Sequence, residues 1–438
     1  MEIRDIAEKI FLSGVEHVLP DRLIRNQLKV IDNTLYISDL RLSLVDFKHI
    51  FVIGAGKASA LMAKEIEYIL GDKITKGHIV VKYGHACELK IIKITEAAHP
   101  TPDMNGILAT NEILKIANQA KKNDLVICLI SGGASSLLVD LPEELTLEDL
   151  INTNLLLLKS GADIKEINAV RKHLSKLKGG QLAKATYPAK LVSLILSDVI
   201  GDPIDIIASG PTSPDLSTFE DAMFILDKYS LLKDIPLSIT NYLQKGMINL
   251  VPETPKVEDS IFSNTTNLII GSNKIALEAA KIKAVELGFN TFILTSELNG
   301  DLITVADYIL DSANKIRVDS HILKPVCLLF GGEPTIKVTG KGLGGRNQHL
   351  ALYCATKLIE LENITILCAG TDGNDGPTDA AGAVVDNHTI SWALLNNIVS
   401  QNYLDDTNSY NFFKQTGEHV ITGATMTNVM DIIVVIIG

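Results

Sequence analysis

The hydrophobic positions of this chain fall into short runs that alternate with helical patterns almost from end to end. Runs such as HIFVIGAG, DLVICLISGG and KLVSLILSDV are apolar over most of a strand's length. Continuously apolar strands are buried on both faces, which is typical of a parallel sheet covered by helices. Stretches such as ASALMAKEIEYIL and KIALEAAKIKAVELG instead repeat apolar residues with the period of a helix. The alternation therefore predicts an α/β protein.

The pattern loosens around 233–262, where three prolines interrupt a stretch with little periodicity. We interpret this stretch as the crossing between two lobes. The predicted domains are 1–240, with a doubly wound, Rossmann-like parallel sheet, and 263–438, joined by a crossing segment over 241–262. The second lobe is predicted to be α/β with a mixed sheet, because VCLLFGGEPTIKV and AGAVVD read as shorter strands between glycine-rich loops.

The amino-acid composition limits the kinds of partner that this chain is expected to bind. The 438 residues carry 40 Lys+Arg against 52 Asp+Glu, a formal net charge of -12. Nucleic acid or an anionic membrane surface would need a concentrated basic face, so neither is expected. Apolar runs fall well short of the about 18 residues that span a bilayer. The five cysteines are scattered and lie mostly in apolar runs, which predicts buried thiols in a reducing cytoplasm.

One strand-to-turn junction carries a candidate anion site. In VIGAGKAS the strand ends near Ile53, Gly54 and Gly56 turn the chain, and Lys57 precedes a helix. Two glycines let backbone amides approach an anion, and a helix N-terminus adds partial positive charge. A Walker A loop is excluded because alanine follows the lysine, and serine stands where a dinucleotide fingerprint needs its third small residue. A tight turn with a solvated lysine remains the alternative.

A second junction of the same kind occurs in ISGGASSLL. It offers amides and hydroxyls from Ser131, Gly132, Gly133 and Ser135 at a helix start, where serine more commonly acts only as a cap. Both junctions follow strands predicted to be parallel. They should therefore fall on the same edge of the sheet, where ligands bind in doubly wound folds.

Basic and acidic candidates follow. INAVRKHLSKL places Arg171 and several lysines on one predicted helix, and we expect most of these cations on a solvated face. Arg171 is retained as a ligand-binding candidate. In LSDVIGDP, Asp198 and Asp202 come just after an apolar strand, a position suited to Mg²⁺ coordination or to abstraction of a hydroxyl proton. An Asx turn before Pro203 is the alternative for Asp202.

Two glycine-rich segments of the second lobe carry further candidates. FGGEPTIKVTGKGLGGRNQ holds Glu333 and, later, Gly344 and Gly345 directly before Arg346. An arginine that closes a glycine run and opens a helix is well placed to fork onto phosphate oxygens. AGTDGNDGPTDAAGA supplies Asp372, which suits either a turn or a nucleotide-associated Mg²⁺.

The histidines indicate little chemistry. His85 in KYGHACE and His99 in AAHPTPD both lie near turns. Neither stands with a serine and an aspartate in a pattern that predicts a hydrolase triad. A lone histidine is more often a structural hydrogen-bonding group, and we expect that role here.

A series of motifs runs in order from about residue 50 to about residue 385: GAGKAS, KYGH, AAHPTPD, SGGASSLL, INAVRKHLSKLKGGQLA, LSDVIGDP with IASGPT, FGGEPTIKVTGKGLGGRNQ and AGTDGNDGPTDAAGA. Together they resemble the class II glycerate kinases, the glycerate 2-kinase family with a MOFRL-type C-terminal domain. ITGATMTNVMDIIVVI resembles the family's closing segment, although MDII stands where family members more often have Asn-Asp-Leu-Arg. SDVIGDP also differs by one residue from the commoner form with two acids.

The resemblance implies transfer of the γ-phosphoryl group of ATP, with Mg²⁺, to the 2-hydroxyl of D-glycerate, giving 2-phosphoglycerate and ADP. It implies that Lys57 and Arg346 are the essential cations and that Asp198 acts at the reacting centre, as general base or metal ligand. Our hypothesis places the reaction in a cleft between the lobes, where positioning and charge neutralisation do most of the catalysis. The partners are then small molecules of carbohydrate metabolism, and a homo-oligomer is left open.

Two other functions fit parts of the pattern. An NAD(P)-dependent oxidoreductase resembling hydroxypyruvate reductase would share the doubly wound lobe, but the missing third glycine argues against it. A non-catalytic nucleotide- or phosphosugar-binding module would explain the glycine loops. It would give no reason for Lys57, Asp198 and Arg346 to occur together.

Overall fold

The computed structural model describes residues 2–359 and 361–438. Contacts within the chain divide it into two compact units. The N-terminal unit comprises Leu23–Ser197 and Asp202–Ile270, and the C-terminal unit comprises Met1–Arg22, Asp198–Gly201 and Gly271–Gly438.

Helices and strands alternate over most of the chain, as the hydrophobic pattern predicts. In order they are α1 (Ile3–His17), α2 (Pro20–Gln27), β1 (Leu28–Ile31), β2 (Thr34–Ile37), β3 (Leu40–Ser43), β4 (His49–Ala55), α3 (Ser59–Leu70), β5 (Lys76–Lys82), β6 (Ile92–Ala97), α4 (Met104–Gln119), β7 (Asp124–Ile130), α5 (Ala134–Leu137), α6 (Leu147–Ser160), α7 (Ile164–His173), α8 (Gln181–Thr186), β8 (Lys190–Leu196), α9 (Phe219–Lys228), α10 (Leu237–Met247), β9 (Thr265–Gly271), α11 (Asn273–Glu286), β10 (Asn290–Asp301), α12 (Leu302–Val318), β11 (Val326–Thr335), α13 (Arg346–Leu358), β12 (Ile364–Gly370), β13 (Gly382–Asp386), α14 (Thr389–Leu395), α15 (Ser400–Asp405), α16 (Ser409–Thr416), β14 (His419–Val420) and β15 (Asp431–Ile437).

The N-terminal unit is built on a six-stranded sheet of order β6-β5-β4-β7-β8-β9, beside a small antiparallel sheet of β1, β2 and β3. The pairs from β6 across to β8 are all parallel. The chain proceeds outward from β4 to β6, then returns to β7 on the other side of β4. This is the predicted doubly wound, Rossmann-like order, and its direction reverses between β4 and β7. Ligands of such sheets bind at this switch point.

Burial explains why the strands read as unbroken apolar runs. β7 is buried at all seven positions, and β4 at every position after His49. Helices α3 and α4 both contact this sheet. Each fully buried aliphatic side chain contributes about 1.5–3 kcal/mol relative to exposure, so the sheet centre is a rigid base for the loops at its edge.

The C-terminal unit contains the predicted mixed sheet, of order β10-β11-β15-β12-β13-β14. Its central strand is the last of the chain: β15 runs antiparallel to both neighbours, β11 and β12. The register pairs Asp431 with Gly332 on one side and with Gly370 on the other. The carboxyl ends of β11 and β12 and the amino end of β15 therefore meet at one edge of the sheet.

The first helix, α1, belongs to the C-terminal unit. Helix α1 packs against α11, β12 and β15. A Cβ at Gly14 would lie 2.8 Å from the Ala276 carbonyl oxygen, so the two helices are in close contact. The predicted crossing segment over 241–262 contains the end of α10 and falls within the N-terminal unit. The observed division of the chain thus differs from a simple split near residue 262.

Two further properties bear on the sequence-based picture. Among the described residues there is no helix with both the length and the apolar character needed to cross a membrane. Four of the five cysteines are buried and Cys87 is partly buried, and all five are free thiols. Burial raises the pKa of Cys128 to about 12, which leaves that thiol protonated and unreactive at neutral pH.

We predict that Gly54→Ala destabilises the N-terminal unit. Its new Cβ would lie 2.3 Å from the Leu129 carbonyl oxygen across the β4–β7 pair, and such overpacking costs about 1–3 kcal/mol. Gly71→Ala is the comparison, because that position has positive φ but no atom within 4 Å. Urea unfolding should show the larger loss for Gly54→Ala; an equal or smaller loss would mean that β4 and β7 can separate freely here.

Candidate functional site

The loop after β4 is fixed by its own backbone. The amides of Gly56, Lys57 and Ala58 donate to the Val80 carbonyl, the Gly132 carbonyl and the Ser131 hydroxyl, at 3.1, 2.9 and 3.0 Å. These amides are therefore not available to an anion in this conformation. The sequence-based interpretation of GAGK as an amide cradle needs correcting to that extent.

Gly56 has a packing reason to be glycine. Its φ is +129°, and a Cβ there would lie 2.1 Å from the Ser131 hydroxyl oxygen. No larger residue fits both the backbone conformation and the space. The loops after β4 and β7 are thereby held in direct contact at the switch point of the sheet.

The free donors lie in the second loop instead. In the part of the chain that the structure describes, the Gly132 and Gly133 amides donate to no protein acceptor. Gly133 has left-handed φ of +85°, and consecutive unpaired amides around such a residue form an anion-binding concavity. A Cβ on Gly133 would lie 3.5 Å from Lys57 Cε. The lysine side chain therefore passes close to Gly133.

The ammonium group of Lys57 has no acidic partner. Within the described residues no carboxylate oxygen lies within 4.0 Å of it. Lys57 is only partly exposed, and a half-buried cation without a counter-ion is an unfavourable arrangement unless a ligand supplies the charge. Lys57 and the Gly132 and Gly133 amides together are a candidate site for an anion.

His99 adjoins the same loop, which the sequence did not indicate. Its ring would contact a Cβ on Gly133 at 3.0 Å. Burial, with the positive charges of Lys57 and Lys82 nearby, lowers the pKa of His99 to about 4. Its imidazole is therefore neutral at physiological pH and adds no competing charge beside the lysine. The only sequence signal was its place in AAHPTPD, between two turn-forming segments.

Ser135 is anchored to a strained loop rather than left free. Its hydroxyl lies 3.1 Å from that of Ser209, which in turn donates to Asn168 at 2.9 Å. Ala208 and Ser209 both have left-handed φ, of 54° and 60°. Backbone strain of this kind clusters at functional sites. No sequence motif pointed to Asn168 or Ser209.

The lysines near Arg171 are not a solvated face. Helix α7 ends at His173, so only Lys172 among them shares the helix with Arg171. Lys172 and Lys178 are 4% and 7% exposed. Lys172 pairs with buried Asp215 at 3.2 Å, while burial lowers the pKa of Lys178 to about 8. The prediction of a solvated face is therefore wrong for Lys172 and Lys178, although Lys176 is exposed as expected.

Arg346 opens helix α13 at the sheet edge of the C-terminal unit. Its Nε and Nη2 donate to the two carboxylate oxygens of Asp431 at 2.6 and 2.9 Å, and Nη1 lies 2.9 Å from Glu333. Asp431 is fully buried at the start of β15. A bidentate pair of this kind fixes the guanidinium plane. The sequence signal for Asp431 was one acid at the head of the apolar run IIVVII.

A carboxylate already occupies the positive end of α13. Asp375 accepts the amides of Asn347 and Gln348 at 3.0 and 2.8 Å. Burial raises the pKa of Asp375 to about 6, although these bonds oppose the change. Gly345 is needed because a Cβ there would lie 2.3 Å from the Asp375 carboxyl carbon, and Gly344 approaches Ser409 equally closely. The side chain of Arg346, not the helix end, is what remains for a ligand.

The surroundings of Arg346 are acidic overall. Burial raises the pKa of Glu333, and the neighbouring charges of Asp431, Asp198 and Asp372 add to this, against the opposing effect of Arg346. One guanidinium among these carboxylates leaves excess negative charge. An anionic ligand would therefore need a cation with it at this edge.

The protein side chains by themselves provide only part of a Mg²⁺ site. The described residues contain no group of three metal-binding side chains. Mg²⁺ is commonly held by one or two carboxylates together with water and substrate phosphates, so Asp198 and Asp372 fit it in that form. Asp202 belongs to the N-terminal unit, whereas Asp198 groups with the C-terminal unit.

Comparisons with known proteins agree with this architecture. A domain of unknown function, DUF4147, matches residues 6–244, and the MOFRL family matches residues 326–431. Glycerate 2-kinase of Pyrococcus horikoshii is 42% identical, over 100% of this chain and 98% of that protein. The crystal structure of glycerate kinase from Thermotoga maritima superposes with a TM-score of 0.89 at 39% identity, covering 100% of this chain and 99% of that one. A relative from Agrobacterium vitis, 40% identical over 88% of this chain and 87% of its own length, has a provisional hydroxypyruvate reductase name.

The doubly wound sheet, the mixed sheet and these relatives define an α/β enzyme of the kinase class. The chain belongs to the glycerate kinase family, as its motifs predict.

We predict that His99 makes stability depend on pH below neutrality. Its folded-state pKa of about 4 lies below the ordinary 6.5, so between these values the unfolded chain binds more protons. Stability should therefore be complete above pH 6.5 and decline as pH falls toward 4. His99→Gln should flatten this decline in denaturant unfolding, whereas His321→Gln, at an exposed position, should not. Equal slopes in wild type and His99→Gln would contradict the assignment.

Proposed function

We propose that this enzyme transfers the γ-phosphoryl group of ATP to the 2-hydroxyl of D-glycerate, giving 2-phosphoglycerate and ADP. The names glycerate 2-kinase and D-glycerate 2-kinase of the Pyrococcus horikoshii and Thermotoga maritima relatives support the position of attack. The observation that carries the proposal is that Lys57, without a carboxylate partner, lies beside Gly133, where two successive amides are unpaired, at the switch point of a doubly wound sheet.

In this proposal Lys57 and the amides of Gly132 and Gly133 bind the transferring phosphoryl group. Phosphoryl transfer requires little covalent chemistry from the protein and much charge neutralisation. Fixed donors are effective here because they need no reorganisation as charge develops on the equatorial oxygens. Gly54 and Gly56 act by packing the loop, and Ser131 and Ser135 hold its two sides.

Arg346 is the proposed second cation for the phosphates. Asp431 fixes its guanidinium plane, and Glu333 restrains its third nitrogen, so a phosphate would compete with Glu333 for Nη1. Gly344 and Gly345 let its loop pass close to α16 and to Asp375. Lys57 and Arg346 belong to different units, and we propose that both act on the same transfer.

Mg²⁺ is the proposed cofactor beside ATP. Asp198 and Asp372 would hold it together with phosphate oxygens, and it would neutralise charge on the triphosphate where the protein surface is acidic. Asp202, with φ of 54° beside Gly201, remains the weaker metal candidate. Asp198 acts either as this ligand or as the base for the 2-hydroxyl proton.

Hydroxypyruvate reduction is the second candidate because of the name of the Agrobacterium vitis relative. The structure gives an argument against it. Ser59 stands at the third position of the dinucleotide fingerprint, fully buried, with its hydroxyl 3.3 Å from that of Ser131. Glycine or alanine at this position lets the helix approach the strand closely around a bound dinucleotide. The polar contact of Ser59 instead fixes the loop to its neighbour.

We predict that Lys57→Ala and Arg346→Ala each lower kcat by about 10²-fold or more, because each removes charge stabilisation of the transition state. Steady-state kinetics with ATP and D-glycerate measure this. Lys64→Ala, which changes an exposed lysine on the following helix, α3, is the control and should retain normal kcat. Near-normal turnover in either variant, with the fold intact, would remove that residue from the mechanism.

The product identifies the reaction. With ATP and D-glycerate, one ADP should form for each glycerate consumed, and enolase without a mutase should accept the phosphorylated product directly. Phosphoglycerate kinase without a mutase should not accept it. The opposite pattern would show attack at the 3-hydroxyl. NADH with hydroxypyruvate should give no absorbance change, and oxidation of NADH would favour the reductase instead.

A further inference from the structure

A cavity of about 180 Å³ lies within the N-terminal unit, outside the contacts described so far. Ten of its nineteen lining residues are leucine, isoleucine, valine or proline, and α6 provides most of the leucines. The other nine are polar, among them Asn154, Arg171 and Lys178. Ligand pockets typically combine apolar walls with placed polar groups in this way.

Arg171 is the unusual member of the lining. Its Nε donates to Asn154 at 2.7 Å. Throughout the described residues, its terminal nitrogens have no protein acceptor, and no carboxylate lies within ion-pair distance. Burial lowers its pKa, with no acidic neighbour to offset the effect. A largely buried cation without a counter-ion is costly, so a ligand that brings negative charge would relieve it.

Lys178 cannot provide the negative charge that Arg171 lacks. It is a second cation in the same lining, which donates to the Leu138 carbonyl at 2.5 Å and lies near the buried carboxylate of Asp140. Asp140 accepts from Ser175 at 2.5 Å and from the Lys176 amide. This acid is therefore satisfied by its own neighbours, and Arg171 keeps an unmatched charge.

Residues that line the cavity are close neighbours in sequence of the residues at the candidate anion site. Ser135 and Ser136 line it and come soon after Gly132 and Gly133, whose amides are unpaired. Pro100 lines it too and follows His99, which lies against Gly133. A ligand that occupies the cavity and extends to Lys57 would use both sets of residues. It should have a flat apolar part, a negative charge near Arg171 and a further anionic end.

We propose that this cavity holds the adenosine end of ATP, with adenine against the apolar walls and Arg171 binding the α-phosphate. The inference rests on the proposed kinase function and adds which unit holds the nucleoside. Glycerate matches the cavity poorly, because every carbon of glycerate carries an oxygen and none would cover the leucine walls. The apolar area available exceeds what a three-carbon acid could use.

The test replaces one residue of the cavity wall by a larger one, so that its side chain fills the cavity. Ile151 lines it, whereas its neighbour Asn152 on α6 is exposed and does not. Ile151→Trp should raise the KM for ATP about tenfold or more and leave the KM for D-glycerate within about threefold, because only one substrate loses its pocket. Asn152→Trp adds the same bulk beside the cavity and should change neither value.

A second variant keeps the proposal testable if Ile151→Trp fails to fold. Competition against ATP should show that AMP binds more tightly than adenosine to the wild-type enzyme. Arg171→Met should remove this difference while leaving adenosine affinity within about threefold, because the arginine acts on phosphate and not on the base. Circular dichroism of each variant checks the fold.

The outcomes distinguish failure of the cavity assignment from failure of the proposed kinase function. A raised KM for glycerate with unchanged KM for ATP would place the acceptor in the cavity and overturn the inference, while ATP-dependent transfer stands. Unchanged values for both substrates, or an AMP preference that survives Arg171→Met, would also overturn it. A wild-type enzyme that forms no ADP with glycerate would instead refute the proposed function itself.

Discussion

Close contact between two loops at the switch point is the constraint on which the anion site depends. Gly56, with positive φ, leaves 2.1 Å between the position of its absent Cβ and the Ser131 hydroxyl. The amides of Gly56, Lys57 and Ala58 are used to hold this arrangement. Gly133 lies beside the lysine side chain, and no acceptor in the described chain pairs with its amide or with that of Gly132. Close packing uses the amides of the loop after β4, whereas two amides of the loop after β7 stay unpaired and could bind an anion.

The candidate ligand-binding cations of the two units differ in whether they have acidic partners. In the N-terminal unit, Lys57 and Arg171 lack acidic partners, and His99 is kept neutral by burial. In the C-terminal unit, Arg346 is paired with both Asp431 and Glu333 and lies among further carboxylates. Unpaired cations favour direct binding of an anion, whereas an acidic edge favours a metal-bound one. A nucleoside triphosphate with Mg²⁺ can satisfy both kinds of environment.

Part of the site followed from local patterns. Glycine runs after apolar strands predicted two loops at one sheet edge, and the structure brings the loops of Lys57 and Ser131 into contact there. Arg346 was predicted separately, from its place between a glycine run and a helix, and it opens α13. The lysines after Arg171 were misjudged, because a charged residue in sequence gives no sign that folding will bury it, as it buries Lys172 against Asp215. Asp431 was missed because its partner lies 85 residues away along the chain.

By itself the sequence determined the α/β class, the alternation of strands and helices, the doubly wound lobe and the family, because these depend on periodicity and on motifs read in order. Only the tertiary structure decided that α1 packs with the C-terminal unit and that the free amides follow β7 and not β4. It also decided that Asp431 orients Arg346. Each of these depends on which apolar face or polar group meets which partner across long separations, and local periodicity holds no information about that choice.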